Sequence, residues 1–232
     1  MKKLFLLFLL FTTSCVKQTV DKETIRQIFI ENPDILTDTI KSLEIQEKAK
    51  QKLTSLQLIK NIKPDDVLYA PIIGKKDAKL SLYYFFDYPC GFSKKENLIF
   101  NELLNSGYKF SIILKPFPIF GKKSELLARA IISSKNQDIE KTQALHNLFF
   151  NIDFNLSELD IYMEILKLAK QVGLDTEKLE KDMNSDIVIN EIQRTKQLAK
   201  KLDIKGTPFL IVGNDVYRGY IEKDVLINSM KN

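Results

Sequence analysis

The sequence predicts an α/β domain with strands at its two ends and helices between them, preceded by a separate helical element. Three observations carry that prediction. Two short apolar runs, Leu80–Phe86 and Tyr108–Leu114, flank a helical pattern over Phe92–Leu104. This is a strand–helix–strand unit whose connection is long enough for a parallel crossover. From Ser124 to Leu202 the apolar residues recur at three- and four-residue spacing, the period of buried helix faces. The strand signal then returns as Phe209–Val212 and Val216–Tyr220 across a Gly213-Asn214 turn, and Ile221–Met230 closes as a short helix. The order is βαβ, a block of helices, then ββα.

Taken from the start, residues 1–15 read as an export signal. Lys2 and Lys3 open it, Leu4–Phe11 is unbroken apolar sequence, and Thr12-Thr13-Ser14-Cys15 follows. The run is shorter than the roughly 20 residues that span a bilayer. Residues 16–63 form the helical element. Asp21 is placed to cap a short helix through Ile25, Ile28 and Phe29. Asn32-Pro33 reads as an N-cap followed by proline at the first helical position. The longer helix that follows has an apolar stripe through Leu36, Ile40, Leu43, Ala49, Leu53, Leu56 and Ile59. Its phase slips between Leu43 and Ala49, which marks an amphipathic helix rather than a strict coiled coil. The stripe needs a partner surface, either its own domain or a second copy of the chain.

Pro64-Asp65-Asp66 marks the boundary to the main domain, residues 64–232. Leu80–Phe86 reads as a strand buried on both faces, ended by Pro89-Cys90. Ile99, Phe100, Leu103 and Leu104 share one side of the next helix. The helical block, about residues 124–202, carries four stripes. They run through Leu126, Leu127, Ala130 and Ile131; through Leu145, Leu148, Phe149 and Ile152; through Ile161, Ile165, Leu168 and Val172, stopped by Gly173; and through Val188, Ile192, Ala199 and Leu202.

The composition excludes several classes. The 232 residues suit one core with a small addition, and 44% apolar with 28% charged residues is globular rather than disordered. The net charge of +5 is dispersed, with no basic stripe interleaved with aromatics, so no nucleic-acid partner is expected. His146 is the one histidine, set in a helical stripe without cysteines or acids at ligand spacing, so neither a metal site nor a cofactor is expected.

The cysteines are Cys15 and Cys90. An exported protein meets an oxidising compartment, where a lone thiol is a liability unless buried or used. Cys90 lies where a strand ends and a helix begins, beside the free N–H groups and positive dipole end of the first turn. That placement favours the thiolate, the nucleophile of disulfide exchange. Lys94 and Lys95 add positive charge on the next turn, and Asp87 suits a turn or capping role. Far along the chain, Gly206-Thr207-Pro208 precedes the strand Phe209–Val212.

Phe86-Asp87-Tyr88-Pro89-Cys90-Gly91-Phe92-Ser93-Lys94 resembles the active-site segment of DsbA-like thiol-disulfide oxidoreductases, and Gly206-Thr207-Pro208 resembles that family's cis-proline loop. Pro71-Ile72-Ile73-Gly74 fits the segment ahead of its first strand. The resemblance runs over residues 64–232 and implies a thioredoxin fold with a helical insertion. It also implies that Pro208 is cis and lies against Cys90, with Thr207 offering backbone hydrogen bonds to an extended substrate. Ile30-Glu31-Asn32-Pro33-Asp34-Ile35-Leu36 resembles the leader helices of a subgroup that includes the suppressor-of-copper-sensitivity protein C and similar trimeric isomerases, which implies a homo-oligomer through residues 16–63. Cys15 resembles the lipid-modified cysteine of bacterial lipoproteins, although Thr12 stands where that motif usually has Leu; ordinary cleavage nearby is the other reading. The expected location is the periplasm or cell envelope, with membrane anchoring if Cys15 is lipidated.

One departure changes the expected chemistry. The family pattern is Cys-x-x-Cys, and here the second position is Ser93. The chain cannot store a disulfide between those positions, so a self-contained dithiol oxidase is excluded. Cys90 can still attack a disulfide and hold a mixed disulfide, with Ser93 supporting a hydrogen bond to the sulfur and another thiol completing the reaction. That suits an isomerase or reductase acting on exported cysteine-containing proteins or small thiols. The alternative is a redox-inactive thioredoxin-fold chaperone or binding module. Cys90-Gly91-Phe92-Ser93 also resembles monothiol glutaredoxins, which bind glutathione and an iron–sulfur cluster, but those are small domains and here Pro208 follows Cys90 by 118 positions.

Overall fold

The structure is a computed structural model that describes residues 21–75 and 77–231. The export signal and Cys15 lie outside the described residues. The chain divides into two compact units, residues 1–49 and 50–232, and the division falls inside a helix.

The first unit contains α1, Lys22–Glu31, and the start of α2, Pro33–Lys60. The Asp21 carboxylate accepts the Thr24 N–H at 2.8 Å and caps α1 as expected. Asn32 behaves differently from its expected N-cap role. Its side-chain amide and its backbone N–H both donate to the Ile28 carbonyl, at 3.0 and 2.9 Å. The reason is the one-residue link: the carbonyls freed at the end of α1 lie within reach and lack helical partners. Pro33 still opens α2. Ile28, Leu36, Ile40 and Leu43 are exposed. No helix among the described residues is long and apolar enough to cross a membrane.

The second unit begins with the last turns of α2 and a single 3-10 turn, Pro64–Asp66. The strands and helices then follow as β1 Ile72–Gly74, β2 Ser81–Phe86, α3 Gly91–Asn105 and β3 Ser111–Pro116. The helical block is α4 Lys122–Ser134, α5 Ile139–Phe149, α6 Glu158–Gln171, α7 Thr176–Met183 and α8 Asp186–Lys201. β4 Phe209–Val212, β5 Asp215–Arg218 and α9 Lys223–Ser229 complete it. The sheet order is β1-β3-β2-β4-β5. β2 and β3 are parallel, as the crossover through α3 predicts, and the other pairs are antiparallel.

The sheet is buried on both faces, so its central strands read as continuous apolar runs. Leu82, Tyr84, Phe86, Ile112, Leu114, Leu210 and Val212 face one core with α3 and the helical block. Phe85, Phe209 and Ile211 alternate to the other face, under Leu198, Ala199 and Leu202 of α8, with Leu58, Ile59 and Ile62 packed against them. Lys115 of β3 is fully buried and donates to the Glu191 carboxylate of α8 at 2.7 Å and to the Asp66 carbonyl at 2.6 Å.

Three elements differ from the pattern reading. β1 is an unanticipated strand: three residues carry no period, and pairing of Ile73 with Ile112 creates it. Gly74 has φ +88°, and a Cβ there would stand 2.7 Å from the Phe110 carbonyl, so this crossing requires glycine. β3 begins at Ser111 rather than Tyr108, because Gly107 and Tyr108 donate to Leu104 and Leu103 and close α3. α7 escapes detection because Leu179 and Met183 are its buried residues, a single i,i+4 pair rather than a stripe.

Candidate active site

The site forms where β2 ends. The Cys90 N–H donates to the Asp87 carbonyl at 3.1 Å, a turn that aims the chain into α3. Cys90 is the N-cap of α3, and its carbonyl accepts the Lys94 N–H at 3.0 Å. The thiol therefore sits at the end of α3 whose first N–H groups have no helical acceptor.

The register of the sheet supplies the other half. Phe85 pairs with Phe209, so the residues just before β4 lie beside the end of β2. The Thr207–Pro208 peptide is cis. The Cys90 thiol donates to the Thr207 carbonyl at 3.2 Å. Cys90, Ser93, Thr207 and Pro208, chosen from sequence, are thus brought together.

Two hydroxyls give the site its character. Ser93 Oγ and Thr207 Oγ1 are buried and have no hydrogen-bond partner among the described residues. Such orphaned groups are costly, and both are positioned to donate to an ionised sulfur. Burial pushes the Cys90 thiol up, but the hydrogen bonds that the Thr207 and Ser93 side chains and the Ser93 and Phe92 N–H groups can donate to the ionised sulfur outweigh it and leave the thiol below its ordinary value. The expected help from Lys94 and Lys95 is absent from that balance. Lys94 is half-buried and Lys95 exposed. The Lys95 ammonium lies 5.5 Å over the Phe92 ring rather than at the sulfur.

Surrounding groups fix this arrangement. The Tyr84 hydroxyl donates to the Ser93 carbonyl at 2.7 Å and pins the first turn of α3 to the sheet. Asp87 accepts the Ile119 and Phe120 N–H groups at 2.7 and 3.0 Å, the turn-holding role expected for it. Burial raises its carboxyl, with those two bonds opposing. His146 is fully buried beside Phe86, 2.9 Å from the Tyr88 hydroxyl, and burial pushes its imidazole down to about 3. Phe92, Ile119 and Phe120 are exposed large apolar residues in these same segments.

Glu96 is the residue that sequence reasoning missed. It lies on the face of α3 shared by Ser93 and Phe100, is fully buried, and accepts the Ile221 N–H at 3.0 Å. Its other oxygen has no partner. Burial pushes its carboxyl up to about 7, with the Ile221 bond opposing. The available signal was an acid falling in phase with an apolar stripe.

Comparison with known proteins agrees with this geometry. The family model of the DSBA-like thioredoxin domain matches residues 81–230. The chain is 25% identical over 162 residues to disulfide bond formation protein D of Bacillus subtilis, covering 66% of this chain and 72% of that one. It is similar to the thiol-disulfide exchange protein alpha-DsbA2 from Wolbachia pipientis, with TM-score 0.69, 25% identity, and coverage of 79% and 97%. It is also similar to Proteus mirabilis ScsC in a compact conformation, with TM-score 0.64, 25% identity, and coverage of 90% and 94%. The helical insertion between Cys90 and Pro208, the sheet and the family match together place this chain in the DSBA-like thioredoxin domain family.

Proposed function

We propose that this chain is a monothiol thiol–disulfide oxidoreductase of the cell envelope, of the isomerase or reductase type, with Cys90 as its nucleophile. The observation that carries the reading is the pair of buried, unpartnered hydroxyls of Ser93 and Thr207 beside the sulfur. Such a pocket is better satisfied by a thiolate than by a thiol. The Cys90 thiolate attacks a substrate disulfide, forming a mixed disulfide and releasing the other sulfur as a thiolate. Ser93 donates to sulfur but has no thiol with which to expel the substrate, so a second thiol of the substrate or a small thiol completes the cycle. The Thr207–Pro208 backbone docks an extended substrate chain. The envelope location rests on the signal read in residues 1–15.

The test is the rate of Cys90 alkylation against pH. The expected midpoint lies below the free-thiol value of about 8.5; a midpoint at or above it overturns the reading. The exposed Phe92, Ile119 and Phe120 favour a second one, redox-independent holding of unfolded chains. That reading expects Cys90→Ala to suppress aggregation as well as the wild type does, and loss of that activity removes it.

The N-terminal element serves self-association in this proposal. Its apolar residues Ile28, Leu36, Ile40 and Leu43 are exposed in the single chain. The likeness to ScsC covers 90% of this chain, more than the catalytic unit alone supplies. Ile40→Glu with Leu43→Glu should lower the mass seen by light scattering; a wild-type monomer ends the idea.

A further inference from the structure

The groups around the Cys90 sulfur are of two kinds. The Ser93 and Thr207 side chains and the Ser93 and Phe92 N–H groups face it as donors. The Thr207 carbonyl faces it as an acceptor, 3.2 Å away. A thiol is a weak donor and a weak acceptor. It serves the carbonyl and leaves Ser93 Oγ and Thr207 Oγ1 buried without a partner among the described residues. Ser93 is fully buried, so bulk solvent does not relieve it. A thiolate reverses the mismatch: it accepts from the hydroxyls and has no proton for the carbonyl. A sulfenic acid, S–O–H, meets both kinds at once, since its oxygen accepts and its O–H donates.

Two further features suit that state. Cys90 keeps 9% of its surface exposed, room for an oxidant as small as hydrogen peroxide to reach the sulfur. Cys90 is also the one cysteine among the described residues, so no thiol there collapses a sulfenic acid to an internal disulfide. The state answers a deficit of the site as well. Exchange at a single thiol relocates disulfides and creates none, because no electrons leave the thiol pool. A sulfenic acid carries the oxidising equivalents that Ser93 denies this chain.

We infer that Cys90 also takes an oxygen from a hydroperoxide, and that the Ser93 and Thr207 hydroxyls with the Thr207 carbonyl hold the resulting sulfenic acid. The inference rests on Cys90 being the nucleophile and adds the class of its oxidant. In the first step the Cys90 thiolate attacks the terminal peroxide oxygen. The S–O bond forms as the O–O bond breaks. Sulfur is oxidised by two electrons, and the departing oxygen takes a proton from solvent and leaves as water or an alcohol. Next, a substrate thiolate attacks the Cys90 sulfur. The S–O bond breaks, hydroxide leaves as water after protonation, and a mixed disulfide forms. A second substrate thiolate then attacks the outer sulfur of that disulfide and regenerates the Cys90 thiolate. The net change is one hydroperoxide reduced and two thiols joined as a disulfide.

The experiment treats the reduced protein with hydrogen peroxide, removes the excess with catalase and adds dimedone after a series of delays. Wild type, Cys90→Ala, Ser93→Ala and Thr207→Val are compared by intact mass and by mapping of the labelled residue. The wild type should gain one oxygen at Cys90 and then the dimedone label there, and Cys90→Ala should gain neither at that position. The sulfenic acid must leave its pocket to condense with another chain, so the contacts in the pocket set its lifetime. Loss of one hydrogen bond should shorten that lifetime about fivefold in Ser93→Ala and in Thr207→Val. A wild-type lifetime in either variant overturns the inference. So does a wild type whose first product at Cys90 carries two oxygens. With a reduced dithiol peptide present, the wild type should form the peptide disulfide for as long as peroxide is supplied, and a rate no faster than peroxide alone overturns the inference. If Cys90 alkylates with a midpoint below the free-thiol value but takes no oxygen, this inference falls and the nucleophile reading stands. If it reacts with neither reagent, both fall.

Discussion

The Cys90 sulfur lies 3.2 Å from the Thr207 carbonyl oxygen, a contact between residues 117 positions apart. The carbonyl accepts from the protonated thiol, so this bond alone would favour the neutral sulfur. The hydroxyls of Ser93 and Thr207 and the first N–H groups of α3 act in the other direction, and together they win. Ser93→Ala and Thr207→Val should each move the midpoint of the alkylation profile upward. At pH 7 each should slow alkylation about fivefold, from a hydrogen bond worth about 1 kcal/mol. At pH values above all midpoints the rates should converge on that of the wild type.

Ser93→Cys should restore the two-thiol chemistry that this chain lacks. Residues three apart on a helix have Cβ atoms about 5–6 Å apart, and a disulfide needs about 4 Å, so a modest adjustment of the first turn suffices. The oxidised variant should show no free Cys90 thiol to alkylating reagents and should oxidise a reduced peptide once per chain. A variant whose two thiols both remain alkylatable after oxidant treatment would show that the turn has been reshaped around the serine.

Two buried groups should cancel each other's pH dependence. Glu96 is held up at about 7 in the fold, from 4.5 when free, so it contributes stability below pH 4.5 that is lost as pH rises through 7. His146 is held down at about 3, from 6.5 when free, so it contributes stability above pH 6.5 that is lost as pH falls through 3. Between about pH 4.5 and 6.5 the folded state holds one proton more than the unfolded state at Glu96 and one fewer at His146. Unfolding free energies of Glu96→Gln, minus those of the wild type, should rise with pH across that window by roughly 1 kcal/mol per unit. Those of His146→Phe should fall by a similar slope. Parallel curves for all three proteins would refute the assignment.

The Lys115–Glu191 pair has neither side chain exposed. Lys115→Met leaves the buried Glu191 carboxylate with only the Arg194 guanidinium, 3.7 Å away, and should cost about 3 kcal/mol in chemical denaturation. Lys115→Met combined with Glu191→Leu should recover most of that loss, because both desolvation penalties disappear together. A double variant as unstable as the single one would mean that the Asp66 carbonyl, which also accepts from Lys115, is the contact that matters.

What was legible in the sequence follows from how local each signal is. Cys90 stands at the boundary between a continuous apolar run and a period-3.6 run, and Pro208 directly precedes a strand, so both are marked by their neighbours. Their meeting is not local; it depends on the register of β4 against β2. Ser93 is visible as a replacement in a motif, but its unpartnered hydroxyl appears when α3 packs on the sheet. Lys94 and Lys95 mislead because adjacency in sequence is not adjacency on a helix surface: successive residues turn about 100° apart, and Lys95 turns to Phe92. Glu96 is marked in the sequence only as an acid in phase with an apolar stripe, and its setting comes from Ile221, 125 positions away.

The placement of β2 has a kinetic consequence for the thiol at its end. This strand is flanked by β3 and β4 and covered on both faces, so its amides should exchange with solvent through global rather than local opening. Cys90, tied to that strand and to the loop before β4, then shares its lifetime. Cys90 is buried in the folded state, and breathing of the surrounding chain does not release it. A protein with a single described cysteine is thereby guarded against random cross-linking to its neighbours until the whole domain unfolds.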